Sequence, residues 1–187
     1  EMRDPSLLPE AFRKRATDAL EGDPLDPVNL YNITWKAPDD SVRAVVFPKA
    51  LSGIDATILV LSGRFFPGGS HKVGAVYSCL IEKQLEGLIE PGKHTPIFPS
   101  TGNFGIGGAW GGPRMGYKSL VVLPEEMSRE RFEKIRGYGA EVIATPGCES
   151  NVKEIYDKVH ELKQDPTKIS INQFEEFGNY RFHYGVT

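Results

Sequence analysis

A lysine that follows two glycines is the first group in this sequence that could do chemistry. Lys72 closes the segment Gly68-Gly69-Ser70-His71-Lys72, and apolar residues at helical spacing follow it. Ser70 is a natural N-cap, so Lys72 is predicted in the first turn of a helix. The positive helix end disfavours an ammonium there and lowers the pKa of the lysine towards the neutral amine that Schiff-base chemistry requires. A solvated lysine after a glycine turn is the alternative explanation.

A second loop is rich in glycine and hydroxyl groups. Ser100-Thr101-Gly102-Asn103-Phe104-Gly105 follows an apolar segment at residues 95–98. Glycines in this arrangement can leave successive backbone N–H groups free for an anion, and a following helix adds its positive end. The loop therefore predicts a site for a carboxylate or a phosphate, with a turn for close helix packing as the alternative. Neither G-x-G-x-x-G nor G-x-x-x-x-G-K-[ST] occurs.

The elements that must position these loops alternate along the chain. Short β-branched runs predict buried strands at residues 44–47, 56–61, 95–98, 119–123, 141–145 and 168–171. Helical patterns lie between several of them, after Ser70, from about Ser128 and over residues 152–162. The alternation predicts an α/β fold with a parallel sheet flanked by helices. Ligands of such sheets bind beyond the carboxyl ends of the strands, so the informative loops follow residues 61, 99 and 172.

Composition argues against several other classes of protein. A net charge of -3 with interspersed signs offers no basic field for nucleic acid, and no apolar run is long enough to span a membrane. The histidines and cysteines show no metal-ligand spacing, so no metal is predicted. The first residues lack the apolar core of a signal peptide, and we expect a cytoplasmic protein with reduced cysteines. Trp110 is expected in the core, His183 at the surface or in packing, and Glu175-Glu176 as a solvated pair.

Taken together, the loops resemble those of the fold-type-II pyridoxal-phosphate (PLP) enzymes, the superfamily of cysteine synthase and tryptophan synthase β. Residues 66–72 are similar to its lysine motif N-P-G-G-S-x-K, with Phe66 in place of Asn, and residues 100–105 are similar to T-S-G-N-T-G. Residues 127–142 resemble M-S-x-E-R…G-A-x-[VL]. Residues 173–183 match the spacing of Q-F-x-N-P-x-N…H, with Glu176-Phe177 in place of Asn-Pro. The likeness covers about residues 56–187 in the family's order.

The resemblance implies that PLP is the cofactor, and it implies roles by position. Lys72 would hold PLP covalently and later move the α-proton of the substrate. Asn103 would bind the phenolic oxygen of the cofactor. His71 would contact the PLP phosphate, with a structural cap on the helix as the alternative. A small amino-acid substrate would be held by its carboxylate at Ser100, Thr101, Gly102, Asn103 and Gln173.

The resemblance also implies a longer chain. Residues 1–55 would be an N-terminal extension and the start of the large domain. Residues 56–187 would be the lysine loop and the small substrate-binding domain, truncated before the rest of the large domain. We therefore expect an N-terminal half that lacks the loop cradling the PLP phosphate and binds PLP weakly alone. It would form a homodimer or join a second chain that supplies the missing half.

The activity implied by the family is that of an amino-acid lyase or synthase acting by β-replacement or α,β-elimination. Cysteine-synthase-like chemistry is the first expectation, and a deaminase or desulfhydrase of the same fold is the next. A catalytically inactive binding or regulatory fragment stays open, as does an unrelated nucleotide-binding α/β domain. Phe104 and Phe177 near the expected pocket predict a bulkier or different substrate.

Overall fold

The N-terminal region is helical. The structure is a computed structural model that describes residues 2–187, and its first helix, α1 (Glu10–Glu21), begins after Pro9 and ends at Gly22. Short 3-10 helices flank it at Pro5–Leu7 and Pro27–Asn32. The buried Asn32 side chain donates a 2.8 Å hydrogen bond to the Ala16 carbonyl, which fixes the second 3-10 helix against α1.

The first two strands form a separate antiparallel hairpin. β1 (Ala44–Phe47) pairs with β2 (Ile58–Leu61), and a single helical turn, α2 (Lys49–Ser52), lies between them. Nearly all their side chains are exposed, including Val45 and Leu59 at about 60%. The prediction of buried strands was wrong here, because β-branched residues favour a strand without deciding what covers it. The loop after residue 61 therefore does not belong to the parallel sheet.

The predicted parallel sheet is present in the remaining strands. β3 (Thr95–Pro99), β4 (Leu120–Pro124), β5 (Glu141–Thr145) and β6 (Lys168–Ser170) are arranged in the order β5-β4-β3-β6, with every neighbouring pair parallel. β4 is buried along its whole length, as expected for a strand that is covered on both faces.

Helices cover the two faces of this sheet. α4 (Asn103–Arg114) and α5 (Arg129–Gly137) belong to one core, which includes Phe98, Val121 and the fully buried Trp110. α6 (Val152–Leu162) packs in a second cluster with Ile97 and Val122. Neighbouring residues of one strand thus point into different cores, which is the alternation that a pleated strand imposes. None of the helices in residues 2–187 has both the length and the apolar character needed to cross a bilayer.

Two further helices lie outside the sheet and pack closely on each other. α3 (Lys72–Leu85) meets α7 (Phe177–Gly185) at glycines on both sides. A Cβ at Gly74 would lie 2.2 Å from the Phe182 ring, and one at Gly178 would lie 2.7 Å from the Cys79 Cα. These distances are shorter than a van der Waals contact. The absence of side chains at the two glycines is therefore what lets α7 approach α3.

Candidate functional site

The lysine loop is a tight turn that leads directly into α3. Gly68 and Gly69 have φ values of 75° and 83°, a left-handed conformation that favours glycine. The Ser70 Oγ accepts a 3.3 Å hydrogen bond from the Lys72 backbone N–H. The helix begins at Lys72, with His71 as the residue before it. The prediction that Lys72 lies in the first turn is thus confirmed, but the N-cap position belongs to His71, one residue after Ser70.

The Lys72 amine is half-buried and has an amide oxygen as its partner. Its Nζ lies 3.4 Å from the Asn179 Oδ1, at the long end of the hydrogen-bond range. Within residues 2–187 no carboxylate forms an ion pair with it. Burial lowers the pKa of Lys72, and the neighbouring Cys79 opposes this shift. The lowered pKa was predicted, but burial is its main cause.

Two histidines lie beside this amine. The His71 ring stacks on Trp35 with centroids 5.7 Å apart and meets the edge of the His183 ring at 5.4 Å. Burial lowers the pKa of both histidines, and the neighbouring Lys72 lowers it further. His71 occupies the N-cap position of α3, although its side chain makes no capping bond there. His183 packs against His71, which agrees with its predicted packing role.

The glycine loop ends β3 and opens α4. Ser100 is buried, and its Oγ accepts a 3.2 Å hydrogen bond from the Gly102 N–H. No side chain caps the start of α4, and Asn103, its first residue, is exposed. The first backbone N–H groups of a helix have no partner within the helix, so this end can bind an anion. Arg131 donates to the Thr101 carbonyl and places a positive charge beside the same loop.

The two loops approach each other where α4 crosses the start of α3. A Cβ at Gly107 would lie 3.1 Å from the backbone N and Cα of Val73, so the two backbones nearly touch there. Asn103 precedes Gly107 by one helical turn and therefore lies on the same side of α4. No hydrogen bond joins the Lys72 amine to residues 100–105 in the part of the chain that the structure describes.

Gln173 is connected to Lys72 through Asn179, a residue to which no role was assigned from the sequence. It follows β6, the neighbour of β3, so the loops after these two strands lie at one edge of the sheet. The backbone carbonyl of Gln173 accepts a 3.0 Å hydrogen bond from the Asn179 Nδ2. The Oδ1 of the same Asn179 amide contacts the Lys72 Nζ. Asn179 stood inside the matched stretch of residues 173–183, but only the packing of α7 on α3 shows its partner.

The surroundings of three side chains differ from those predicted from the sequence. Glu176 is not solvated, because it forms a 3.0 Å ion pair with Lys83 in which both side chains are less than a fifth exposed. Phe104 points into the core, where its ring meets that of Phe98, so it does not enlarge a pocket. Phe177 is 73% exposed. Residues 2–187 contain no cluster of three or more His, Cys, Asp or Glu side chains that could bind a metal.

The fold and the two loops together define a class of protein, an α/β protein with a half-buried lysine at one helix start and an uncapped, glycine-rich start at another. Comparison with known proteins gives the family. Residues 49–186 match the family model described as pyridoxal-phosphate dependent enzyme. The chain belongs to that family.

Curated relatives and solved structures agree with this assignment. A probable cysteine synthase of Bacillus subtilis is 39% identical over 134 residues, which are 71% of this chain and 43% of that protein. A hydrogen sulfide-producing enzyme of Fusobacterium nucleatum superposes with a TM-score of 0.68 at 33% identity, over 76% of this chain and 46% of that one. An O-acetylserine dependent cystathionine beta-synthase of Helicobacter pylori gives 0.69 at 29% identity, over 76% and 47%. The chain spans under half the length of these relatives.

Proposed function

We propose that this chain is the N-terminal part of a PLP-dependent enzyme that acts on a small amino acid with a leaving group on its β-carbon. The reaction is β-replacement or α,β-elimination. The observation that carries the proposal is the half-buried Lys72 amine at the start of α3, which has no carboxylate partner within residues 2–187. Family membership supports the cofactor, and the relatives named above support the reaction type.

The environment of Lys72 fits a covalent bond to PLP. A lysine paired with a carboxylate would stay charged, whereas burial without a carboxylate partner favours the neutral amine that attacks an aldehyde. Lys49 provides a contrast, because it also opens a helix but is exposed and pairs with Asp55 at 2.7 Å. The cofactor therefore fits Lys72 and not Lys49.

The start of α4 fits the carboxylate of an amino acid. The uncapped N–H groups after Gly102 and the hydroxyls of Ser100 and Thr101 are donors, and the helix end is partly positive. In the proposed site Asn103 lies beside the cofactor's phenolic oxygen, and Gln173 assists with the carboxylate. His71 would face the phosphate, although its ring is engaged with Trp35 and His183 in this structure.

The roles of these residues in the reaction follow from their chemistry. PLP, when bound, supplies the electron sink for negative charge at the α-carbon of the substrate. The neutral Lys72 amine, when not bonded to the cofactor, would take the α-proton of the substrate and hold it at Nζ. The N–H and hydroxyl groups of the glycine loop that bind the substrate carboxylate keep the α-carbon within reach of that amine. Loss of the β leaving group then precedes addition of a nucleophile or hydrolysis.

The match covers under half the length of these relatives, and the activity is proposed for the assembled fold. The remaining half, in the same polypeptide or in a second chain, supplies the phosphate-binding loop, and the assembly is a homodimer. The exposed apolar side chains of β1 and β2 support an interaction of this kind.

Two assays separate the reactions, each run with added PLP and with the half that supplies the phosphate-binding loop present. Formation of cysteine from O-acetyl-L-serine and sulfide reports β-replacement, and release of sulfide from L-cysteine alone reports elimination. We expect one of them in the wild-type protein, its loss in Lys72→Ala, and no change in the matched variant Lys49→Ala. Equal rates in wild type and Lys72→Ala would overturn the proposal, and a protein inert in both assays would favour the inactive regulatory fragment.

A further inference from the structure

The position of α7 on α3 is fixed by contacts on both sides of Asn179. Before it, Glu176 pairs with Lys83 at 3.0 Å, and Gly178 lies against the backbone of α3. After it, Arg181 pairs with Glu82 at 2.8 Å. Phe182, almost fully buried, fills the space left by Gly74 in the same first turn of α3 as Lys72. Asn179 is therefore held towards the start of α3 by packing that involves neither ligand nor cofactor.

The orientation of the Asn179 amide is determined by its two partners. Its NH₂ group donates to the Gln173 carbonyl at 3.0 Å, and a carbonyl oxygen can only accept. The amide oxygen must then point the other way, where the Lys72 Nζ lies 3.4 Å from it. Both a neutral amine and an ammonium can donate to that oxygen. This single amide thus connects the Lys72 amine to the loop after β6.

A lysine side chain is a flexible stem of four carbons, and an unpartnered amine at its end samples many positions. We infer that Asn179 is a positioning residue for Lys72: its Oδ1 holds the amine on the side of α3 that faces the Gln173 loop. The inference rests on the proposed function, since a fixed amine matters most where it must meet an aldehyde and a proton. It adds a residue that acts through Lys72 and does not itself touch the reacting atoms.

Other titratable groups near the amine have a defined place in the test. His71 precedes Lys72, Cys79 follows it on α3, and His183 approaches from α7. All three are kept unchanged in the variants below. A change in the titration of Lys72 can therefore be traced to position 179.

The experiment measures the rate at which acetic anhydride labels Lys72 as a function of pH, read by peptide mass spectrometry. An amide oxygen stabilises an ammonium by its dipole, and a carboxylate at the same place stabilises it more. We expect the midpoint for Lys72 to rise in the order Asn179→Ala, wild type, Asn179→Asp. A rise of one pKa unit in Asn179→Asp corresponds to about a tenfold slower labelling at pH 8.

The matched control is Glu82→Gln, which removes the neighbouring ion pair between α3 and α7 and keeps Asn179. We expect its Lys72 profile to coincide with that of the wild type. Coincident profiles for Asn179→Ala and wild type would overturn the inference, and so would an equal shift in Glu82→Gln. If Asn179→Asp does not fold, the Ala variant decides alone. Labelling needs no PLP, so an assembled protein whose Lys72 captures no PLP would sink the proposed function and leave this test intact.

Discussion

The starts of α3 and α4 use the same physical property for opposite purposes. Each helix begins in a glycine-rich loop, and each has a partly positive end. At α3 that end carries Lys72, a cation that burial already disfavours. At α4 the first turn carries no cation and no side-chain cap, so its N–H groups remain available. One helix start therefore favours a neutral nucleophile, and the other attracts an anion, at a place where the two backbones nearly touch.

The glycines of the two loops also differ in what they provide. In the lysine loop Gly68 and Gly69 provide a left-handed backbone. In the glycine loop Gly105 provides space, since a Cβ there would lie 2.9 Å from the Ser100 carbonyl oxygen and 3.1 Å from the Val121 side chain. Substitutions at the two loops should therefore fail for different reasons and by different amounts.

The largest effect is expected at Gly105. Gly105→Ala forces a methyl group against the Ser100 backbone and Val121, and overpacking of this kind costs about 1–3 kcal/mol. Urea unfolding measures the loss. The control Gly137→Ala places its methyl in open space at the end of α5 and should be neutral or stabilising by up to about 1 kcal/mol. Equal stability of the two variants would show that space is not what Gly105 supplies.

A smaller effect is expected at Gly68. Gly68→Ala puts a side chain at a φ of 75°, which costs about 1 kcal/mol, while the added methyl meets nothing closer than 3.6 Å. Gly87→Ala is matched, because Gly87 has a φ of 73° and open space around it. We expect similar losses in urea unfolding but slower labelling of Lys72 in Gly68→Ala only. Slower labelling in both variants would show that the accessibility of Lys72 does not depend specifically on the turn at Gly68.

The smallest effect concerns pH and is confined to the lysine loop, since residues 100–105 contain no titratable side chain. The pKa values of His71 and His183 are lowered in the folded protein, mainly by burial and then by Lys72. Below pH 6.5 the unfolded chain therefore binds more protons than the folded one, and stability falls as the pH falls through the lowered pKa values.

Urea unfolding at pH 7.5 and 5.5 checks this direction. The double variant His71→Asn/His183→Asn should lose less stability on acidification than the wild type, because it has no imidazoles to charge beside Lys72. An equal loss in both proteins would contradict the prediction.

The sequence was most informative where local patterns and tertiary packing agree. β3 and β4 are mostly apolar runs, and their burial on both faces is what such runs require. β5, at the edge of the sheet, is only partly buried, so the prediction of a buried strand was wrong there. Ser70 and Lys72 could be assigned to a helix start from capping chemistry alone. The parallel sheet and the positions of both loops followed from these features.

Contacts between distant segments could not be predicted in the same way. The runs that became β1 and β2 read like the buried strands, and only the surrounding structure reveals that residues 2–187 leave them exposed. Asn179 is separated from Lys72 by 107 positions, and Glu176 from its partner Lys83 by a similar span. Such pairs depend on how α7 packs on α3. Two glycines permit this packing, but no local sequence pattern predicts it.

Covalent capture of PLP tests the central claim most directly. The protein is incubated with PLP, reduced with borohydride and digested, and the mass of the reduced adduct is located on its peptides. We predict the adduct at Lys72 in preference to the exposed lysines, and loss of the visible absorbance of bound PLP in Lys72→Ala. An adduct spread over exposed lysines such as Lys49, or an absorbance that persists unchanged in Lys72→Ala, would contradict the account.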